Sequence, residues 1–142
     1  MELLVVIAII GILSSVTLGA LSRSRSKAQD AKIKAEFKEI KSQAEFFSDQ
    51  NGHFGPEASG CVDAGSVFAD TRIALLIEAA ETASGASMVC VSDNGLGGAG
   101  NATSWAVSIP LRSDPLISWC ADSAGSAQEA TAQISANQAL CL

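Results

Sequence analysis

Histidine is almost missing from this chain: His53 is the only one. The four cysteines, Cys61, Cys90, Cys120 and Cys141, never approach the close C-x₂₋₄-C spacing that zinc sites prefer. A metal or zinc centre is therefore disfavoured. His53 has no Cys or Ser positioned beside it, so no constellation for nucleophilic catalysis is visible, and an enzyme is not the expectation. Cations are scarce in the second part of the chain. Residues 51–142 hold two Lys/Arg against nine Asp/Glu, a net charge of −7. Phosphate attraction needs clustered Lys and Arg, so direct nucleic-acid binding is disfavoured there and a solvated acidic surface is expected. Proline is absent from residues 1–55, which removes the commonest helix breaker from more than a third of the chain. A secretory signal would place a basic region ahead of a short apolar stretch, with a small-residue cleavage site after it. Here the acid Glu2 comes first, and Arg23, Arg25, Lys27, Lys32 and Lys34 follow.

Between them runs ELLVVIAIIGIL and its continuation. Leu3 to Leu21 is nineteen residues without a charge, and at about 1.5 Å per helical residue it nearly matches the roughly 30 Å hydrocarbon thickness of a bilayer. Beyond it, Ile33, Phe37, Ile40, Ala44 and Phe47 recur at steps of four and three, which puts them on one face of a helix. Asn51-Gly52 supplies a left-handed terminus after Gln50. The pattern predicts one helix of about fifty residues, near 75 Å long by the helical rise. Residues 1–21 are its hydrophobic half, and residues 22–50 its amphipathic half, packed on a globular head formed by residues 51–142. Within the apolar half, Gly11, Ser15 and Gly19 form a small-xxx-small row along which helices can approach closely. Glycine there lowers helix stability by about 1 kcal/mol against alanine, so Gly11 with Ser14 and Ser15 marks a weak point of the helix.

In the head, Gly52 to Ser66 is expected as a loop holding Cys61, and Asp70 as the cap of a second helix running to about Ala83 with Ile73, Leu76, Ile77 and Ala80 inward. Ser87–Ser92, Ser104–Leu111 and Leu116–Ala121 are β-prone runs that predict an antiparallel meander, with Trp105, Val107 and Ile109 on the helix-facing side of the second strand and Ile117, Trp119 and Ala121 on that of the third. Gln128–Ile134 fits a fourth strand, although an alanine-rich helix fits almost as well. Four cysteines in a small domain joined to an apolar span suggest two disulfides and an oxidising compartment. In a meander Cys90 and Cys120 stand two strands apart, over 9 Å, beyond the reach of a disulfide. Cys61–Cys90 with Cys120–Cys141 is the favoured pairing, and Cys61–Cys120 with Cys90–Cys141 stays open. The fold class is α+β.

The block of residues 2–13, the amphipathic continuation and the small disulfide-bearing head together resemble type IV pilins and the related pseudopilins of type II secretion. The likeness is close over residues 2–13 and architectural beyond them. It implies a pilin-like fold in which a long N-terminal helix packs on an antiparallel sheet of three to four strands. It also implies a subunit that starts in the inner membrane and polymerises into a homo-oligomeric helical filament at the cell surface, for adhesion, twitching motility or DNA uptake. A prepilin peptidase, an assembly ATPase and a platform protein would be its partners by the same resemblance. Of the family's G-F-T-L-x-E processing motif only the glutamate is represented, so neither leader cleavage nor methylation is assigned to Met1. Glu2 would correspond to the family's glutamate, which meets the N-terminal amine of a neighbouring subunit. The alternative for Glu2 is a carboxylate snorkelling to the headgroup boundary, which needs no partner.

Two other readings stand beside the pilus subunit: a pseudopilin of a short periplasmic pseudopilus, and a monomeric membrane-anchored binding domain for which Glu2 and the Gly11/Ser15/Gly19 row are dispensable. No cofactor is expected. The Gly-rich stretch DNGLGGAGN lacks the Lys and the strand-to-helix setting of a phosphate cradle. Asp93 and Asn94 lack enough neighbouring carboxylates for calcium. Asn101-Ala102-Thr103 is a glycosylation triplet of a kind that arises often by chance.

Overall fold

The computed structural model describes residues 2–96, 100–135 and 138–141, with the backbone alone for Glu2 and residues 16–18. The centre of the Gly-rich stretch, residues 97–99, thus lies outside the described residues. A helix, α1, runs without interruption from Glu2 to Asn51. It stops where the sequence supplies a residue free to turn left-handed, Gly52 at φ +76°. A short 3₁₀ turn, Val67–Ala69, precedes a second helix, α2, Thr71–Ser84. The Asp70 carboxylate accepts from the Arg72 amide at its start, and Gly85 closes its end at φ +78°.

Four strands follow: β1 (Val89–Asp93), β2 (Ser104–Pro110), β3 (Ser118–Asp122) and β4 (Ala127–Ala130). They form one antiparallel sheet in sequence order. Both helices lie on one face, α1 against β3 and α2 against β2, and α1 packs most extensively on α2. The expected stripe is buried: Ile33, Phe37, Ile40 and Ala44 are all closed to solvent and Phe47 is partly so. The difference from the sequence reading is that α2 shares the covering of this stripe with the sheet. Ile73, Ile77 and Ala80 are buried and Leu76 is half-buried, so the apolar side of α2 can face α1 and β2 together.

The register explains the cysteines more strongly than distance alone does. Cys90 pairs with Val107, and Val107 with Ala121, so these three point to the helix side. Cys120 adjoins Ala121 and must point to the opposite side, because side chains alternate along a strand. The bridges are Cys61–Cys90, Cα to Cα 5.0 Å, and Cys120–Cys141, 5.9 Å, one for each face of the sheet. Each contributes about 3 kcal/mol by loop closure.

The far face carries a second, smaller apolar cluster of Val91, Ala106, Cys120, Ile134 and Ala139. The chain after β4 covers it, and so the expected strand over 128–134 is cut to four residues and no helix forms. Residues 131–135 leave the sheet edge and cross its face. The Ile134 amide donates to Ser108 Oγ (3.0 Å) and the Cys141 amide to Asp122 Oδ2 (2.9 Å). Asp122 is almost wholly buried and its other oxygen accepts from the Ser126 amide, so one carboxylate fixes both the β3–β4 turn and the tail.

A second buried carboxylate ties α1 to the sheet. Asp30 Oδ1 accepts from the Arg112 amide (2.7 Å) and the Ser113 amide (3.3 Å) in the connection after β2. Truncation would leave two amide donors without their acceptor in a half-closed site. Asp30→Ala is expected to destabilise the head by about 2 kcal/mol, and Asp30→Asn by less, in urea unfolding followed by Trp fluorescence.

Candidate functional site

The surface most in need of explanation is the first half of α1. Leu3, Leu4, Val5, Val6, Ile7, Ile9, Ile10, Ile12, Leu13 and Leu21 are each at least half exposed. The segment is long and apolar enough to cross a membrane, by length and composition, and none of its most apolar window is buried within the chain. A bare helical rod about 28 Å long and 10 Å wide presents on the order of 900 Å² of side surface. At about 25 cal/mol per Å², leaving that surface in water forfeits on the order of 20 kcal/mol. This exceeds the whole stability of an ordinary domain, about 5–15 kcal/mol. Cover from outside the chain, by lipid or other protein, would recover that free energy, and by length and composition the segment fits a membrane anchor or a signal.

Glu2 is the first residue of α1, but its side chain lies outside the described residues. Among the described residues, a Cβ at Gly11 or Gly19 would meet no atom within 4 Å beyond its chain neighbours and its own helix backbone, and none of them requires glycine at either place. Ser15 Oγ, one turn from each, donates to the Ile12 carbonyl at 2.8 Å. Such back-bonding satisfies the hydroxyl inside its own helix and weakens the helix slightly. The ladder is unbroken through this stretch in the single chain.

Above the rod the chain carries a basic collar. Arg23, Arg25, Lys27 and Lys32 are exposed, and among the described residues none has an ion-pair partner. Lys34 differs: its Nζ lies 3.0 Å from Glu129 Oε1 and 4.4 Å over the Trp119 ring. The two charged side chains are 38% and 52% exposed, so solvent limits the pair to at most about 1 kcal/mol. At the other end of the head, Gln43, Phe46, Phe47, Gln50, Asp70 and Arg72 line a cleft of about 350 Å³ between α1 and α2. Phe46 escaped the sequence reading because it stands one step off the buried stripe; that offset was the available signal, and the residue is 51% exposed.

The remaining candidates have structural employment. His53 Nδ1 accepts from the Gly55 amide at 2.9 Å, and this helps hold Gly55 at φ +82° beneath the Gly65 carbonyl. Asp93 Oδ1 and Asn94 Oδ1 accept from the Gly95 and Leu96 amides, so both oxygens close a turn. Among the described residues no group of three His, Cys, Asp or Glu is placed to hold a metal ion. Cys61 and Cys90, with Cys120 and Cys141, are structural bridges, and none is a free thiol.

No protein family, curated protein or solved structure matches this chain. What the apolar rod does must be argued from its own surface.

The open space around Gly11 and Gly19 makes their replacement diagnostic. Gly11→Leu with Gly19→Leu is expected to leave head unfolding unchanged, and to weaken association of the full chain in detergent by about 1–2 kcal/mol. Sedimentation equilibrium beside urea unfolding checks both halves of this expectation.

Proposed function

We propose that the chain is the structural subunit of a pilus-type filament, polymerising through the apolar half of α1. The observation that carries the reading is the charge-free rod, Leu3–Leu21, fully outside the head and yet continuous with the helix that forms the head's core. A flexible linker would let a head bind ligand independently of its anchor. A rigid helix instead transmits the position of the rod to the head, which is what a regular polymer needs. Lipid covers the rod before assembly and other rods cover it afterwards, so moving from one to the other exchanges apolar surroundings at little cost.

The small row Gly11/Ser15/Gly19 supports close approach between rods, and two structural disulfides suit a head that works in an oxidising space. In the filament the helix loosens between Gly11 and Gly19, where glycine and the Ser15 back-bond make the ladder weakest. Glu2 acts as a register device: a carboxylate within apolar surroundings costs a few kcal/mol unless a neighbour supplies the opposite charge, so only one stagger of copies is favoured. The acidic heads form the outer sheath. Adhesion, twitching motility or DNA uptake are the roles that fit such a filament. The inner membrane is its place of residence before export, with a prepilin peptidase, an assembly ATPase and a platform protein as partners.

Glu2→Ala tests the reading. Negative-stain microscopy of sheared surface material is expected to show filaments from the native chain and a loss of about tenfold or more from the variant, the scale of a missing buried charge partner. Unchanged filaments from the variant would remove the role given to Glu2, and native material containing only single copies would favour a membrane tether.

A further inference from the structure

Immediately after the rod, six consecutive residues alternate hydroxyl and cation: Ser22, Arg23, Ser24, Arg25, Ser26 and Lys27. The helix continues through them, and all but the half-buried Ser26 are exposed. Among the described residues none of the three cations has an ion-pair partner. The first residue of α1 that hydrogen-bonds to the head, among those described, is Asp30, through the Arg112 and Ser113 amides, and the buried stripe begins only at Ile33. Around the helix the cations are spread. At about 100° per residue Arg23 and Lys27 stand about 40° apart, while Arg25 lies about 160° from each, on the other side.

We infer that Ser22–Lys27 is a binding collar for the phosphates of anionic phospholipids, in the leaflet on the head side of the membrane. This rests on the membrane-resident stage of the reading above and does not require the filament. The axial dimensions carry it. Leu3–Leu21 rises about 28 Å, close to the roughly 30 Å hydrocarbon thickness, so the next residues enter the headgroup layer. That layer is about 5–7 Å deep on each side, the difference between the whole bilayer and its core. Ser22 to Lys27 rises about 7.5 Å. The whole cluster therefore falls at phosphate depth.

The spread around the helix selects the kind of partner. A protein docked on one side of α1 would reach Arg23 and Lys27 or else Arg25, whereas a headgroup layer surrounds the helix and reaches all three. Each guanidinium can grip a phosphate through two parallel N–H donors, and the Lys27 ammonium adds a point charge. Ser22 and Ser24 present hydroxyl donors at the same depth. The head, residues 51–142, carries a net charge of −7 and is repelled by the same anionic surface. Attraction is thus confined to the collar, and the head stands away from the lipid. Lys32 is also exposed, but it lies about 7.5 Å further along the helix than Lys27, past the headgroup layer. Lys34 is occupied by Glu129 and the Trp119 ring.

Lipid retention by the full-length chain tests this. The chain is placed in nanodiscs of equal phosphatidylglycerol and phosphatidylcholine, and native mass spectrometry counts the lipids of each kind that stay bound on release. The native chain is expected to prefer phosphatidylglycerol about fivefold or more, the scale of a cation at an anionic surface. The preference should shrink in about 1 M ammonium acetate, where charges are screened within about 3 Å. Arg23→Gln with Arg25→Gln and Lys27→Gln is expected to bring the ratio to within about twofold of unity, and Lys32→Gln alone to leave it within about twofold of native. Glutamine keeps the helix propensity of the residues it replaces, and urea unfolding of the head is expected to be unchanged in every variant. A native ratio near unity, a triple variant that keeps the native ratio, or a Lys32→Gln loss as large as that of the triple variant would each overturn the collar. Filament yield is read from the same variants. A triple variant that keeps its phosphatidylglycerol preference but forms no filament assigns these cations to a protein contact and refutes the lipid site. A native chain that prefers phosphatidylglycerol but forms no filament overturns the filament reading and leaves the collar standing.

Discussion

The structure is organised by the exclusion of water from a nineteen-residue charge-free rod that the chain itself leaves bare. The head closes its own core without using the rod. Ile33, Phe37 and Ile40 mark where α1 enters a core, and the residues before Asp30 have no part in it. A single continuous helix therefore crosses from one solvent requirement to another. Because the helix is stiff, whatever satisfies the first half fixes the placement of the second.

The head answers to a different constraint, that of a small sheet with two apolar faces. Helices cover one face, and a tail of about ten residues with little regular structure must cover the other. Such a tail loses much conformational entropy on ordering, roughly 1–2 kcal/mol per residue for the backbone alone. Its retention depends on fixed points: the Cys120–Cys141 bridge, the Asp122 carboxylate and the Ser108 hydroxyl. On the helix side the Cys61–Cys90 bridge joins the loop before α2 to β1, reinforced by backbone bonds between Ala58 and Ser92. Asp30 is the corresponding fixed point between the long helix and the sheet. Polar groups thus decide where elements attach, while apolar burial supplies most of the stabilisation.

Much of this was legible beforehand because the signals are local. The buried stripe from Ile33 to Phe47 follows from helical periodicity, the limits of α2 from Asp70 and Gly85, and the three central strands from β-branched and aromatic runs between turn residues. The meander excluded a Cys90–Cys120 bridge, since strand order alone separates the two, and left two pairings open, between which the folded structure chose. The register adds that Cys90 and Cys120 face opposite ways. The roles of Asp30 and Asp122 were not legible. Each bonds backbone amides, which leave no trace in residue identity, and their partners are up to 83 and 19 positions away. The shortening of the fourth strand was hidden for a similar reason. Gln128–Ile134 has the composition of a strand, but the exposed second face of the sheet claims Ile134. The cleft at Phe46 lies where the start of α2, at Asp70 and Arg72, meets the last turns of α1, residues far apart along the chain.

By itself the sequence determined that this protein carries a rod without charge ahead of an amphipathic helix, that cations cluster where the rod ends and anions beyond, and that its cysteines work in pairs. These are properties of residue order, and periodicity reads them directly. Only the tertiary structure decided that α2 packs against both the long helix and β2, that the tail closes the second face of the sheet, and that the exposed Phe46 lines a cleft with Gln50, Asp70 and Arg72. Those outcomes depend on contacts between residues distant along the chain, where competition for the same buried surface chooses among arrangements that each segment alone would allow.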